Sequence, residues 1–348
     1  MTAPEALTEG DAALMALARR LTERAARGRV LSLTRLAGGR NNQVFRLDTD
    51  HGVPLVLKRY FSDIRDTRDR LGAEWNFITH AWSRGIRNLP EPLACDAAEH
   101  AGLFGFVQGR KLTASELTQA HVDAAIDFAL AVNTRPRPAL AAGSEACFSL
   151  SEHIAMVERR VERLTMLDAT APHLAEVQSL VSTRLLPAWA TVKSQLMAGA
   201  CAAGLSIDEP IGADERCLSP SDFGFHNALM DDEGHLTFLD FEYAGLDDPA
   251  KLVSDFFCQP EVPVPLAYHA HFIDRMARGL ALDAAAIARC RLLLNSYRVK
   301  WTCIILNDFV LLDSARRAFA SEADRAIRHA EQLAKASASM AEIEAAIS

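Results

Sequence analysis

The chain has 348 residues, enough for one large or two modest domains, and its 49% apolar and 24% charged residues are typical of a globular protein with a buried core. Its formal net charge of -8 disfavours nucleic acid and anionic membranes as partners. The seven scattered cysteines include no CxxC pair and no signal peptide is visible, so we expect a cytoplasmic protein with reduced thiols.

The first third of the chain predicts a small antiparallel sheet behind a leading helix. Apolar residues at helical spacing predict the helix over Glu5–Arg27. Short alternating segments separated by turns then predict a three-stranded meander, followed by a helix over Arg65–Arg84 and two more strands. The five strands are predicted at Val30–Leu36, Gln43–Asp48, Leu55–Tyr60, Pro92–Asp96 and Leu103–Val107.

The chain beyond Gln108–Leu112, a segment typical of a hinge, is chiefly helical. A two-stranded hairpin at Ala228–Leu239, turning at Asp231–Gly234, interrupts the helices. The sequence therefore predicts an N-terminal lobe over residues 1–107 and a helical C-terminal lobe over residues 108–348. The predicted helices of the second lobe are Thr113–Asn133, His153–Met166, His173–Ala198, Ala250–Phe257, Pro265–Leu280, Ala284–Leu312 and Glu322–Ile347.

Polar motifs lie at both ends of this hairpin. Asp222 is followed five residues later by Asn227, and the apolar strand after the turn ends in Asp240. Phosphoryl transfer from a nucleotide uses one carboxylate to accept the proton of the acceptor hydroxyl and further oxygen ligands to hold magnesium. The first motif alone also fits a polar turn, because Asp, Ser, Gly and Asn are turn formers. The two motifs in order, joined by a short hairpin, predict a kinase-type site.

The motifs resemble those of the small-molecule branch of the eukaryotic-like kinases, the aminoglycoside phosphotransferase and choline kinase family. This resemblance implies an α+β, protein-kinase-like, two-lobed fold. It implies that Asp222 is the catalytic base and that Asn227 and Asp240 bind Mg²⁺. It further implies that Lys58 grips the α- and β-phosphates of ATP or GTP. The acidic partner of Lys58 is expected to be Glu74, although Asp63, Asp66 and Asp69 lie nearby in the sequence.

Further residues are expected to contact the nucleotide. The segment Leu36–Phe45 resembles the nucleotide loop of this family, in which backbone amides approach phosphate oxygens, although a Gly-Gly pair also suits an ordinary hairpin. Its candidate contacts are Gly38, Gly39 and Asn42. Gly105 and Val107, next to the hinge, are expected to offer backbone groups to the base.

One departure from the family pattern bears on activity. The family usually has His and Gly before the catalytic Asp, and this chain has Pro220 and Ser221 there. A pseudokinase, which binds nucleotide or a partner without efficient turnover, is therefore the alternative function. His226 lies between the functional positions, and we expect it to be a packing or hydrogen-bonding residue.

The region after Asp240 predicts the class of acceptor. A helix begins almost at once near Pro249, and no long activation segment intervenes, so we expect a small hydroxyl compound rather than a protein. A nearby acidic cluster and the net negative charge favour a neutral or cationic acceptor. The cluster comprises Asp240, Glu242, Asp247, Asp248 and Asp255. An amino alcohol, a sugar and an aminoglycoside all remain open, as do ATP versus GTP and the oligomeric state.

Overall fold

The structure is a computed structural model that describes residues 9–36, 42–62, 68–136, 140–310 and 322–348, and side chains from residues 12 and 325 onward in the first and last of these ranges. The chain forms two compact units, each built from several segments. Unit 1 comprises Met1–Leu112, Asp127–Ser144 and Pro220–Gly245, and unit 2 comprises Thr113–Ile126, Glu145–Ser219 and Leu246–Ser348. The predicted lobe boundary after residue 107 is a single point in the sequence, whereas the two units are defined by contacts and each combines several segments. The boundary therefore stays a prediction.

Unit 1 contains a five-stranded antiparallel sheet with the order β1-β2-β3-β5-β4. Helix α1, Glu9–Arg24, packs Leu14, Leu17 and Leu21 into one hydrophobic core with Leu47 and Leu57 of the sheet. The strands are β1 (Val30–Arg35), β2 (Asn42–Thr49), β3 (Leu55–Tyr60), β4 (Pro92–Asp96) and β5 (Ala101–Gly105). Side chains alternate across a strand, so Leu55 and Leu57 of β3 share one face while Lys58 and Tyr60 share the other.

Helix α2, Arg70–Ser83, begins at Asp69, whose carboxylate accepts a hydrogen bond from the backbone amide of Gly72. Its buried positions recur at helical spacing and are apolar except at two residues, Arg70 and Glu74. A carboxylate on the buried face of a helix is costly unless it is paired, so Glu74 requires a partner nearby.

A second part of unit 1 is a short hairpin of β7 (Ala228–Met230) and β8 (Leu236–Phe238), which pairs Ala228 with Phe238. Arg110, just after the sheet, exchanges two backbone hydrogen bonds with Met230. Gly109 makes this approach possible: its φ is +156°, and a Cβ there would lie 2.8 Å from the Met230 carbonyl oxygen. The hairpin is thereby tied to the sheet through main-chain hydrogen bonds.

Unit 2 is mainly helical. Helix α3, Gln119–Ala131, begins in unit 2 and ends in unit 1, and a two-stranded sheet pairs β6 (Cys217–Ser219) with β9 (Gly245–Asp247). The remaining helices are α4 (Leu150–Arg163), α5 (Leu174–Leu180), α6 (Leu186–Ala202), α7 (Pro249–Cys258), α8 (His269–Leu280), α9 (Ala284–Leu292), α10 (Leu294–Ile305) and α11 (Glu322–Ile347). Within the described ranges, every helix is too short or too polar to cross a bilayer.

Several predicted helices differ from those observed: the segment predicted over Thr113–Asn133, for instance, begins with a 3₁₀ turn at Ala114–Glu116, and α3 starts at Gln119. Two further helices are interrupted internally. The segment predicted as one helix over His173–Ala198 contains a π-helical turn at Val181–Leu185, between α5 and α6. The segment predicted over Ala284–Leu312 is divided into α9 and α10, and a 3₁₀ turn at Leu306–Phe309 follows. Apolar periodicity continues through such irregular turns, so the pattern alone does not locate them.

Candidate active site

The site in unit 1 is centred on Lys58, which lies in β3. Its Nζ atom is 2.6 Å from Oε2 of Glu74 and 2.5 Å from Oδ1 of Asp240. The side chains of Lys58 and Glu74 are 10% and 4% exposed, whereas that of Asp240 is 41% exposed. The structure thus brings three of the residues that the sequence singled out into one ion-pair cluster, whose open side is at Asp240.

The protonation of this cluster follows from opposing effects. Burial alone would lower the pKa of Lys58, but the carboxylates of Asp240, Glu74 and Glu242 outweigh it and raise the pKa well above its usual value. Burial, together with the charge of Asp240, raises the pKa of Glu74 even though Lys58 acts in the opposite direction. Lys58 is therefore a retained ammonium group at neutral pH, as binding to phosphate oxygens requires.

Glu74 is held by more than Lys58. Tyr60 donates its hydroxyl to Oε2 of Glu74 at 2.7 Å, and the backbone amide of Phe241 lies 3.3 Å from Oε1. Both carboxylate oxygens therefore have donors, which offsets the cost of burial. Asp69, an alternative partner for Lys58 in the sequence, instead caps α2, while Asp63 and Asp66 lie outside the described residues.

Asp222 and Asn227 lie in the loop before β7. The Nδ2 atom of Asn227 donates to the backbone carbonyl of Asp222 at 3.0 Å and lies 3.4 Å from its Oδ2 atom. Ser221, next to Asp222, has φ +69°, a left-handed conformation that costs less for glycine. This backbone conformation gives a physical reason why glycine suits the position that Ser221 occupies.

Asp240 and Asn227 lie at the same end of the hairpin. Ala228 pairs with Phe238, and beyond that pair the Leu239 amide donates to the Asn227 carbonyl at 2.8 Å, so Asp240 follows directly. Asp240 has φ +64°, a conformation that is unfavourable for a residue other than glycine. It persists only because the surrounding structure holds the residue in place. A carboxylate and an amide oxygen are hard donors of the kind that Mg²⁺ prefers, so these residues fit a magnesium site.

The structure describes the predicted nucleotide loop only at its two ends. Gly38 and Gly39 lie outside the described residues, whereas Asn42 begins β2. The Nδ2 atom of Asn42 donates to Oε2 of Glu242, and its Oδ1 atom accepts from the backbone amide of Phe61 at 3.3 Å. Asn42 therefore links the end of this loop to the segment that carries Asp240.

Gly105 and Val107 are placed differently from each other. Gly105 ends β5, and its backbone amide donates to the Glu91 carbonyl at 2.9 Å, so this amide is already used. Val107 lies in the irregular segment that follows, and it is half-buried. Both residues were predicted to contact the nucleotide base. The amide of Gly105 is engaged by Glu91, and that of Val107 is not.

Sequence reasoning missed an aromatic cluster beneath the two motifs. Each carboxylate is followed by a buried phenylalanine, Phe223 after Asp222 and Phe241 after Asp240. Both rings lie 5.9 Å from the ring of Phe128 in α3, between centroids. Phe128 also stacks on Phe238 at 4.7 Å, and Phe241 stacks on Phe77 of α2 at 4.6 Å. One hydrophobic cluster therefore supports both carboxylates.

Two polar residues of the site were also missed or undervalued. Tyr60 carried a usable signal, because it lies two residues after Lys58 and so faces the same side of β3. His226 was expected to be a packing or hydrogen-bonding residue, and its Nε2 atom lies 3.2 Å from Oδ1 of Asp222, a partner that was not predicted. Sequence spacing alone does not reveal this contact, because two residues that are four apart in sequence contact each other only where the chain turns.

Comparisons with known proteins identify the family and the fold of this chain. The model of a phosphotransferase enzyme family matches residues 32–293. No curated protein matches the sequence. A solved spectinomycin phosphotransferase in complex with ADP and spectinomycin is 14% identical with a TM-score of 0.58, over 94% of this chain and 98% of that one.

Choline kinases are similar in fold as well. The enzyme from Cryptosporidium parvum is 13% identical with a TM-score of 0.54, over 91% of each chain. The enzyme from Streptococcus pneumoniae is 14% identical with the same TM-score, over 94% of this chain and 99% of that one. At these identities the likeness concerns the fold alone. It confirms the predicted α+β, kinase-like fold with an antiparallel-sheet N-terminal lobe and a helical C-terminal part.

Proposed function

Since the chain belongs to the phosphotransferase enzyme family, we propose that it is a small-molecule kinase that transfers the terminal phosphoryl group of ATP or GTP to a hydroxyl of a small acceptor. One observation carries this proposal. Lys58 is ion-paired with both Glu74 and Asp240, and Asp240 lies at the same hairpin end as Asn227. A buried ammonium group held by one buried and one exposed carboxylate is suited to gripping phosphates.

Each residue of the site has a separate role in the proposed reaction. Lys58 binds the α- and β-phosphate oxygens, and Glu74 fixes its position. Asp240 and Asn227 hold Mg²⁺, which when bound neutralises charge on the phosphates. Asp222 accepts a hydrogen bond from the acceptor hydroxyl, orients its oxygen toward the terminal phosphorus and takes the proton as transfer proceeds. Asn42 and the amide of Val107 complete the nucleotide contacts.

A small acceptor is favoured by the short chain after the metal motif. Helix α7 begins at Pro249, nine residues after Asp240, which leaves no segment long enough to present a peptide. The proteins of similar fold are named for small acceptors, namely choline, ethanolamine and spectinomycin. An alcohol of this size is therefore the proposed substrate class.

Three of the five residues in the acidic cluster are already paired, which corrects part of the argument made from the sequence. Asp247, Asp248 and Asp255 are buried in unit 2, where they pair with cationic side chains of the same unit. A carboxylate that is already paired and desolvated contributes little attraction to an incoming cation. Within the cluster, the proposal of a neutral or cationic acceptor therefore rests on Asp240 and Glu242.

A panel of acceptors tests the proposal. The purified protein is incubated with MgATP or MgGTP and with choline, ethanolamine, spectinomycin or neutral sugars, and nucleoside diphosphate release is measured together with phosphorylated product. We expect one class of acceptor to raise the rate well above the acceptor-free rate. Nucleotide binding without stimulation by any acceptor of the panel would favour the pseudokinase alternative, and efficient phosphorylation of a protein would contradict the small-acceptor class.

A further inference from the structure

His226 and Asp222 form a contact that the family motifs do not account for. His226 lies in the 3₁₀ turn Phe225–Asn227, and its Nε2 atom is 3.2 Å from Oδ1 of Asp222. The imidazole is 11% exposed and the carboxylate 33% exposed, so the pair is shielded on the histidine side and open on the aspartate side. The open side is where a substrate hydroxyl must approach.

The hydrogen-bonding roles in this pair follow from the two ring nitrogens. Nδ1 of His226 is buried and has no hydrogen-bonding partner among the described residues. A neutral imidazole carries one N–H, and a carboxylate only accepts, so the proton belongs on Nε2, where it is donated to Asp222. The alternative tautomer would bury an unsatisfied N–H and set two acceptors against each other.

Each oxygen of the Asp222 carboxylate therefore has a hydrogen-bond donor nearby, and the two donors lie on different sides. His226 donates to Oδ1, while the amide of Asn227 lies 3.4 Å from Oδ2 and donates to the main-chain carbonyl of Asp222. Terminal rotation of an aspartate carboxylate is otherwise soft, because its torsion has only broad minima. Donors on both sides restrict that rotation and fix the direction in which the oxygens face.

The backbone that carries the His226 imidazole is fixed by its neighbours. Phe225, the preceding residue, is fully buried, and Lys111 donates its ammonium group to the carbonyl of His226. The position two residues before Asp222 holds Pro220, whose side chain offers no hydrogen-bond donor. His226 and Asn227, which both approach this carboxylate, follow it in the loop.

We propose that His226 is a positioning residue for phosphoryl transfer: its Nε2–H holds the Asp222 carboxylate in the orientation that receives the acceptor hydroxyl. The inference rests on the proposed function, because it gives Asp222 the role described above. Outer partners that orient a reactive group commonly account for roughly 10–100-fold in activity, and a displacement of about 1 Å has a similar effect.

Three variants test this role. His226→Leu removes the donor, His226→Gln restores an N–H at a similar reach, and His235→Leu is the matched control. His235 lies 3.2 Å from Asp231 at the same four-residue spacing, but it is 80% exposed, and an exposed pair of this kind contributes little. Asp222→Asn is measured alongside, because its behaviour tests the proposed function independently.

The readouts are kcat and KM for MgATP, with ADP release measured without acceptor and with the most active of choline, ethanolamine and spectinomycin, and the melting temperature. We expect His226→Leu to lower kcat by about 10–100-fold with KM for MgATP unchanged, and His226→Gln to recover most of kcat. His235→Leu should retain the wild-type kcat.

Other outcomes separate the inference from the function on which it rests. A wild-type kcat in His226→Leu, with Asp222→Asn inactive, would overturn the inference and leave the proposed function standing. Equal losses of kcat in His226→Leu and His226→Gln would also overturn it, since ring packing and not the donor would then matter. Full turnover in Asp222→Asn would instead reject the role of Asp222 itself.

Discussion

Lys58 illustrates how a buried charge is kept in place by its partners. Its side chain is 10% exposed, and the desolvation of the ammonium group is compensated only when opposite charges lie in contact. Glu74 and Asp240 provide these contacts, but they differ in burial, so Glu74 serves as the permanent partner and Asp240 as the one open to a ligand. Under the proposed function, the same residue contributes to both stability and phosphate binding.

Replacing Lys58 should separate these two contributions. Lys58→Met leaves Glu74 buried without its cation, so the free energy of unfolding should fall by about 3–5 kcal/mol, and turnover should be lost. Lys58→Met combined with Glu74→Gln removes both charges and should regain part of the stability but none of the turnover. Urea unfolding and ADP release are the measurements. Turnover in the double variant near the wild-type rate would exclude a phosphate-binding role for Lys58.

Asp240 is expected to carry most of the magnesium dependence, because it has the formal charge that Asn227 lacks. Nucleotide should raise the melting temperature more with Mg²⁺ than with a chelator, since a ligand that binds only the folded state stabilises it. Asp240→Ala should abolish the magnesium-dependent part of this shift. Asp232→Ala, at the turn of the same hairpin, is the control and should retain it. A magnesium-dependent shift of full size in Asp240→Ala would show that the metal is bound elsewhere.

At the scale of secondary-structure elements, Phe128 connects the two motifs that carry Asp222 and Asp240. It is 1% exposed, lies in α3 and contacts rings that directly follow Asp222 and Asp240. Because protein interiors are close-packed, a cavity at this position would let both loops shift together. The geometry of the site thus depends on a helix that contributes no polar group to it.

Phe128→Ala should lower the free energy of unfolding by about 3–5 kcal/mol and also reduce kcat at a temperature where the variant remains folded. Phe272→Ala is the matched control: this ring is equally buried, but it packs against Phe256 and Phe257 in unit 2. We expect a similar loss of stability there with a smaller loss of kcat. Equal losses of kcat in the two variants would remove the special role assigned to Phe128.

The elements that were predictable from the sequence are those with strong local patterns. Alternation located β3 and hence Lys58, and the turn at Asp231–Gly234 located the hairpin that separates Asn227 from Asp240. The strands β6 and β9 were missed, because three residues are too few to show alternation. Phe128 was missed for another reason: its importance comes from tertiary contacts, which no local pattern encodes.

At the scale of the whole molecule, unit 2 encloses a network of buried charges around α7. Lys251 lies 2.8 Å from Asp247 and 3.3 Å from Asp255, and Asp255 in turn lies 2.6 Å from Nζ of Lys300. Burial alone would raise the pKa of Asp255, but Lys300 and Lys251 outweigh it and lower the pKa. These residues lie soon after Asp240 in the sequence, yet their ion pairs are made within unit 2.

His153 extends this network and makes stability depend on pH. Burial would lower its pKa, but the neighbouring Asp248 carboxylate, 3.5 Å away, raises the pKa from 6.5 to about 9. A histidine whose pKa is raised on folding stabilises the protein fully when the pH is below its pKa in the unfolded state. This stabilisation is lost as the pH rises through its pKa in the folded state. The free energy of unfolding should therefore fall by an amount on the order of 2–3 kcal/mol between pH 6.5 and about 9.

Urea unfolding across this pH range checks the prediction. His153→Gln should be less stable than the wild type at pH 6.5 and should lose the decline toward pH 9. His235→Gln, which replaces an exposed histidine, should keep the wild-type decline. An identical pH dependence in His153→Gln and the wild type would assign the decline to other groups.

The central claim is that Asp222 receives the acceptor hydroxyl while other residues bind the nucleotide, and turnover of Asp222→Asn tests it most directly. Asparagine keeps the size of the side chain but does not accept a proton at neutral pH. We expect kcat to fall by roughly 10²–10⁴-fold, with the Kd for MgATP close to that of the wild type. A variant that retains wild-type turnover, or that loses turnover only because MgATP no longer binds, would contradict the claim.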